Sequence, residues 1–274
     1  MMTGFILIGA IATVLAGNPP ARLVPPAPPE DLPAVLAVDP TKDADMAKRM
    51  LMDNGVPAEL RMRAVKSLGA SPILVLLDAI AKCGGTCGAT RDLADVLVSL
   101  AAEAAKDPAV LERLTKCAQT PEDPAYTAAL RTIAAMPIEQ RPEALKGVTA
   151  RQVSIGTIPG AMQYDIKEIK AKPGEILEIT LKNTDTMRHN LLITMPGKMS
   201  EVGVAADKMG DTPEGKACQF VPAMPSVLAV MGLIDPGKSG TFFYVVPQKP
   251  GTYQYVCTVP GHWRMMNGKI KVAP

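Results

Sequence analysis

Two histidines occur among the 274 residues, His189 and His262, and both lie in segments that read as one metal site. His262 follows Cys257 by five residues and precedes Met266 by four, in Cys257-Thr-Val-Pro-Gly-His262-Trp-Arg-Met-Met266. The segment reads as a strand end at Cys257, a turn at Pro260-Gly261 that brings His262 back, and Met266 placed to cap a metal axially. His189 opens His189-Asn190 at a distant strand. One thiolate, two imidazoles and a thioether are the soft and intermediate donors of a blue-copper electron-transfer centre, with sulfur and two nitrogens in a plane and the thioether weak and axial. Ligands held on short loops rearrange little between Cu(I) and Cu(II), so electron transfer requires little nuclear motion. Burial of Cys257 under Val259 and Leu191 disfavours the more highly charged oxidised site and raises the potential.

The elements that position these residues divide the chain. Residues 1–150 carry 15 basic and 17 acidic side chains, net −2, and residues 151–274 carry 14 and 10, net +4. With no Lys/Arg run interleaved with aromatics, this balance points away from nucleic acid. An apolar fraction of 47% supports packed cores, and with aromatics at 4% these must be filled by aliphatic and Met side chains. Residues 1–16 include Phe5–Leu15, too short for a comfortable membrane span. They read as an export signal ending near Ala16, although no Lys or Arg precedes the apolar run; a retained membrane anchor and a buried terminal element are the alternatives. Residues 17–41 form a Pro-rich linker, with eight prolines between Asn18 and Pro40.

Residues 42–145 show helical periodicity in Asp43–Asp53, Pro57–Leu68, Ser71–Lys82, Thr90–Ala104, Pro108–Gln119 and Asp123–Ala135, as in Ile73, Leu76, Leu77 and Ile80. Asp107-Pro108 pairs an N-cap with a proline at the first helical position. Stacked helical hairpins of HEAT type and a plain helical bundle both fit. This half holds no His and no acidic cluster with ligand spacing, which suits support or docking.

From residue 150 to 274 the period becomes two. Strands are expected at Val153, Met162–Ile166, Ile169, Ile176–Leu181, Asn190–Thr194, Gly240–Val246, Gly251–Cys257 and Gly268–Val272, separated by Pro-Gly turns. This is the pattern of an all-β, two-sheet sandwich. Residues 196–230 read as a long excursion with at least one short helix. Their methionines, with Met195 and Met231, are expected to pack rather than to form a copper-loading surface. Apart from Cys257, the cysteines are Cys83, Cys87, Cys117 and Cys218, an even remainder compatible with two disulfides in an oxidising compartment, of undetermined connectivity.

From about Ala150 to Val272 the sequence resembles the cupredoxins, and within them the azurin and auracyanin branch. The similarity is carried by Gly251-Thr-Tyr-Gln-Tyr-Val-Cys-Thr-Val-Pro-Gly-His-Trp-Arg-Met-Met-Asn-Gly268 and by Met187-Arg-His-Asn190. The resemblance implies a Greek-key sandwich and one type 1 copper per chain. It assigns His189, Cys257 and His262 as equatorial ligands, Met266 as axial ligand and Asn190 as the residue tying the two ligand loops together. Arg188 stands where azurins have glycine, so the carbonyl that lies near copper in the family is open to a different placement. The resemblance also implies an apolar docking patch around the His262 edge, here Val259, Pro260 and Trp263, flanked by Arg188 and Arg264, which would favour an acidic partner. The expected partners are redox proteins, a cytochrome or an oxidase or dehydrogenase, in a periplasmic or other extracytoplasmic setting. Two histidines cannot supply the further copper sites of a multicopper enzyme, so the chain is expected to carry electrons rather than catalyse. Copper delivery, and a docking role in a larger redox assembly, are the competing readings.

Overall fold

The computed structural model describes residues 72–82, 88–210 and 212–274. The expected signal segment, the Pro-rich linker, the helices at Asp43–Asp53 and Pro57–Leu68, and Cys83 and Cys87 lie outside the described residues. Among those described, no helix is long and apolar enough to cross a membrane.

The helical half contains α1 (Pro72–Lys82), α2 (Gly88–Ser99), α3 (Ala101–Ala104), α4 (Pro108–Ala118) and α5 (Tyr126–Ala135). The run expected over Thr90–Ala104 is divided at Leu100, whose φ of −100° and ψ of 13° leave the α region. At α4, the Asp107 carboxylate accepts from the Ala109 and Val110 amides at 3.0 and 3.3 Å, and Pro108 fills a position where no N–H is needed. Ile73, Leu76, Leu77 and Ile80 share one buried face with Leu97, Leu114 and Ile133.

Among the described residues nine strands follow: β1 (Ala150–Ile158), β2 (Gln163–Tyr164), β3 (Glu168–Ala171), β4 (Ile176–Lys182), β5 (His189–Thr194), β6 (Val227–Ile234), β7 (Ser239–Val245), β8 (Gly251–Val256) and β9 (Asn267–Val272). They form a four-stranded sheet, β2-β1-β4-β7, and a five-stranded sheet, β3-β9-β8-β5-β6. Ile155, Leu177 and Ile179 from one sheet and Leu191, Ile193, Tyr253 and Ile270 from the other meet in a single core. The excursion carries α6 (Met199–Met209) and α7 (Pro213–Ala217). Its Met199, Val202, Val221 and Met224 cover the outer face of β5, β6 and β8, over Leu192, Val230 and Val256. Met231 lies in the main core.

Strand β6 corrects the sequence reading, which placed residues 227–230 in the excursion and no strand at 231–234. Its sequence, VLAVMGLI, has no period-two alternation because both faces are buried. Ala229, Met231 and Ile234 face the inter-sheet core, while Val227 and Val230 face the α6 layer. The all-buried β5 has the same cause. The expectation of disulfides is also corrected. Among the described residues none is formed, and Cys117 is a buried thiol that accepts a hydrogen bond from Arg113 Nη1 at 2.9 Å.

The two halves are joined by packing. Leu130 and Ala134 of α5 bury against Ile176 of β4 and Val245 of β7, covering the outer face of the four-stranded sheet. Between them, Arg141 donates to the carbonyls of Met136 at 2.7 Å and Ala134 at 2.9 Å, and to that of Val148. One guanidinium thus ties the end of α5 to the entry of β1. Leu130→Ala should lower unfolding free energy by about 2–3 kcal/mol, since it leaves a cavity in a contact bounded by a helix and a sheet. Urea titration followed by circular dichroism measures this, and an unchanged midpoint would show that the contact contributes no stability.

Candidate metal centre

His189 begins β5 at an irregularity: the β5–β6 register shifts between His189 and Leu191. Bulges of this kind re-aim side chains at strand ends, and His189 and Asn190 are both fully buried here. The second ligand segment is the β8–β9 connection. Its base is closed by Cys257 N donating to Met266 O at 3.0 Å. Gly261 takes φ 84°, a left-handed turn position suited to glycine. A 3-10 turn, His262–Arg264, follows, with His262 N donating to Val259 O at 2.9 Å and Met266 N to His262 O at 2.8 Å.

These two segments bring Cys257 Sγ to 3.7 Å from His189 Nδ1 and 3.6 Å from His262 Nδ1. All three donor atoms lie within 4.8 Å of one another, among buried residues. Metal bonds of about 2.0 Å to imidazole and 2.3 Å to thiolate, at angles between tetrahedral and trigonal, set S···N near 3.5–3.7 Å. The spacing therefore accommodates one ion. The sulfur and two imidazoles suit copper in a type 1 site.

The chain prepares the donors. Asp185 Oδ2 lies 3.0 Å from His189 Nε2. With the carboxylate accepting a hydrogen bond from Nε2–H, the Nδ1 lone pair is left facing Cys257. Burial alone would raise the Asp185 carboxyl, but the amides of Gly160 and Thr186 and the His189 ring together hold it below the usual carboxylate range. Burial lowers His189 against the opposing effect of Asp185, and burial together with His189 lowers His262. Both shifts favour the neutral ring, the form a ligand must take. Burial pushes the Cys257 thiol up to about 12, although the amides of Asn190 and Val259 pull it down. A metal entering the site must displace that proton.

A pH dependence follows for the metal-free protein. Burial also raises Cys117, to about 11 against the opposing Arg113 charge. Thiols in the unfolded chain ionise near about 8.5. The folded state therefore holds two protons that the unfolded state loses. The two thiols should contribute no pH dependence below that pH and should lower stability above it, by up to ~1.4 kcal/mol per pH unit for each. Urea midpoints at pH 7.5 and 9.5 test this, and equal midpoints would contradict it. In copper-loaded protein the Cys257 contribution should vanish.

Asn190 joins the two ligand segments: its Nδ2 donates to Thr258 Oγ1 at 2.8 Å, and its Oδ1 accepts from Thr258 N at 2.7 Å. Tyr164 Oη donates to Asn190 O at 2.5 Å. Met266 is buried in the core that contains Cys257, whereas Met265 is 51% exposed. Arg188 is turned to Asp235 at 2.7 Å, both side chains being more than half exposed. Arg264 is likewise paired, with Asp207 at 2.9 Å. The two arginines expected to offer free positive charge are thus each matched by a carboxylate. Val259, Pro260 and Trp263 are half-buried around His262, which is 7% exposed. The Trp263 indole packs toward α6 and donates to Asp207 Oδ2 at 2.8 Å.

Sequence reasoning missed Asp185 and Asp207. Asp185 stands in Asn-Thr-Asp-Thr, a turn-like stretch whose position four before His189 is the one available signal. For Asp207 the sequence holds none, since it is one of 27 acidic residues and lies on an excursion.

The profile of the copper binding proteins, plastocyanin/azurin family, matches residues 151–273. Azurin-2 of Alcaligenes xylosoxydans xylosoxydans is 34% identical over 41% of this chain and 90% of its own length. Auracyanin-A of Chloroflexus aurantiacus is 28% identical over 44% of this chain and 73% of its own. Among solved structures, reduced auracyanin from Roseiflexus castenholzii aligns at 30% identity and TM-score 0.40, over 46% of this chain and 99% of that one.

Proposed function

Because this chain belongs to the plastocyanin/azurin family of copper-binding proteins, we propose how its residues carry out the family's work and with whom. The chain is a blue-copper electron-transfer protein and not an enzyme, with a buried His189/Cys257/His262 cluster suited to one type 1 copper. Copper, when bound, supplies a one-electron Cu(I)/Cu(II) couple. Cys257 would hold it as a thiolate, with the amides of Asn190 and Val259 offsetting part of that charge. His189 is held by Asp185 and His262 by its loop, and Met266, buried beside Cys257 in the same core, would supply the thioether.

The electron leaves through His262. The observation that carries this route is burial: His189, Cys257 and Met266 are fully enclosed, and the 7% exposure of His262 is the cluster's contact with solvent. Val259, Pro260 and Trp263 form the rim on which a partner docks. The partner is a redox protein, a cytochrome or an oxidase or dehydrogenase, engaged mainly through apolar contact because Arg188 and Arg264 are already paired. We place the protein outside the cytoplasm, with residues 1–16 as export signal or tether, 17–41 as linker, 42–145 as a domain of helical hairpins or a helical bundle, and 150–274 as a Greek-key cupredoxin domain.

Stopped-flow mixing of the copper-loaded protein with a small one-electron reductant tests the carrier reading. Rapid, reversible bleaching of a thiolate-to-copper band is the expected result. A folded, copper-loaded protein without that band would shift the assignment to copper delivery.

A further inference from the structure

We propose that Asp207, on α6, is the positioning residue for His262, an inference that rests on the electron-transfer reading above. The two imidazoles are oriented in different ways. His189 is fixed through its ring by the Asp185 carboxylate at 3.0 Å. Among the described residues, no hydrogen bond is made to the far ring nitrogen of His262, so its orientation is inherited from its backbone.

Asp207 holds that backbone from outside the sandwich. Oδ1 accepts from Gly261 N at 2.8 Å, and Oδ2 accepts from Trp263 Nε1 at 2.8 Å and Arg264 Nη1 at 2.9 Å. The residues on both sides of His262 are thereby fixed to one carboxylate more than fifty positions earlier in the chain. One helical turn back, Gly203 makes room: a Cβ there would fall 2.3 Å from Trp263 Cδ2, inside any tolerable contact. Residues four apart share a helix face, so this face of α6 offers a seat for the indole and an acceptor for its N–H. The Arg264 guanidinium closes the arrangement, 4.3 Å from the Trp263 ring centroid. On the inner side, His262 N is bound to Val259 O at 2.9 Å. The loop therefore has a wall on each side, and His262 keeps its place whichever charge the metal carries.

Loosening the outer wall should slow electron exchange. In copper-loaded Asp207→Ala we expect the electron self-exchange rate, read by NMR line broadening, to fall by ~10–100-fold, the range carried by outer partners of metal ligands. The copper hyperfine splitting in the EPR spectrum should change with it. Asp207→Asn, which keeps the shape and one acceptor, should lie between the two, and it decides the matter if the alanine variant does not fold. Leu130→Ala, destabilised at a distant contact, should exchange at the wild-type rate. Wild-type exchange and EPR parameters in a blue, folded Asp207→Asn and Asp207→Ala pair would overturn the assignment while leaving the carrier function intact. Absence of the thiolate band in wild type would overturn both.

Discussion

Cys257→Ser is expected to abolish the intense visible band, near about 600 nm, that Cu(II) develops in the wild-type protein through thiolate-to-copper charge transfer. Serine is close to isosteric, so the site keeps its shape and the change is chemical. A buried hydroxyl does not ionise where even a thiol is pushed up to about 12, and oxygen is a harder donor than sulfur. Copper affinity should fall by at least ~100-fold, since an equatorial ligand matters more than the outer partners whose loss costs 10–100-fold. Far-UV circular dichroism should stay at wild type, because the enclosing core from both sheets is untouched. Titration with Cu(II), followed by absorbance and by competition with a chelator, measures both effects. A band of wild-type intensity in the serine variant would remove Cys257 from the ligand set and with it the type 1 assignment.

Asp185→Asn should raise the reduction potential and weaken copper binding. The carboxylate is fully buried: one oxygen faces His189 Nε2 and the other accepts from the amides of Gly160 at 3.1 Å and Thr186 at 2.7 Å. Its negative charge favours the more positive Cu(II) state, so neutralising it disfavours oxidation and the potential rises. A tenfold change in the one-electron equilibrium corresponds to about 59 mV, and a rise of that order or more is expected. Geometry acts in the same direction on affinity. An asparagine that keeps its oxygen toward the two amides turns its NH2 toward His189. The ring must then move its proton to Nδ1, the nitrogen needed by the metal. Copper affinity should fall ~10–100-fold. Voltammetry and competitive titration test the two effects separately, and a folded Asp185→Asn protein with wild-type potential and affinity would show that Asp185 neither tunes nor orients the site.

The ligand loop was legible in the sequence because its geometry is local. Between Cys257 and Met266 the chain has little freedom: a hairpin fixes the ends, Gly261 supplies the left-handed turn, and the spacing sets which side chains return to the sulfur. His189 could be named because no third histidine competes with it. Helices at Pro72–Lys82 and Pro108–Ala118 were likewise readable from one apolar face and, for the second, an Asp-Pro start. Strand β6 was not. Alternation reports one wet face and one dry face, and a strand covered on both sides has none to report.

The sequence by itself determined the grouping of His189, Cys257 and His262, the change of period near residue 150 and the resemblance to azurins and auracyanins, because each depends on residue type and short spacing. Tertiary structure alone decided that Arg188 and Arg264 are paired rather than free, and that Trp263 is seated on Gly203. It also decided that α5 covers one outer sheet face while α6 covers the other. It alone assigned Asp185 and Asp207 to the two imidazole segments. The physical reason is that a carboxylate acquires such a role from the donors that folding brings to it. Those donors come from β1–β2 and the His189 turn in one case and from the β8–β9 loop in the other, and no local pattern around either aspartate encodes them.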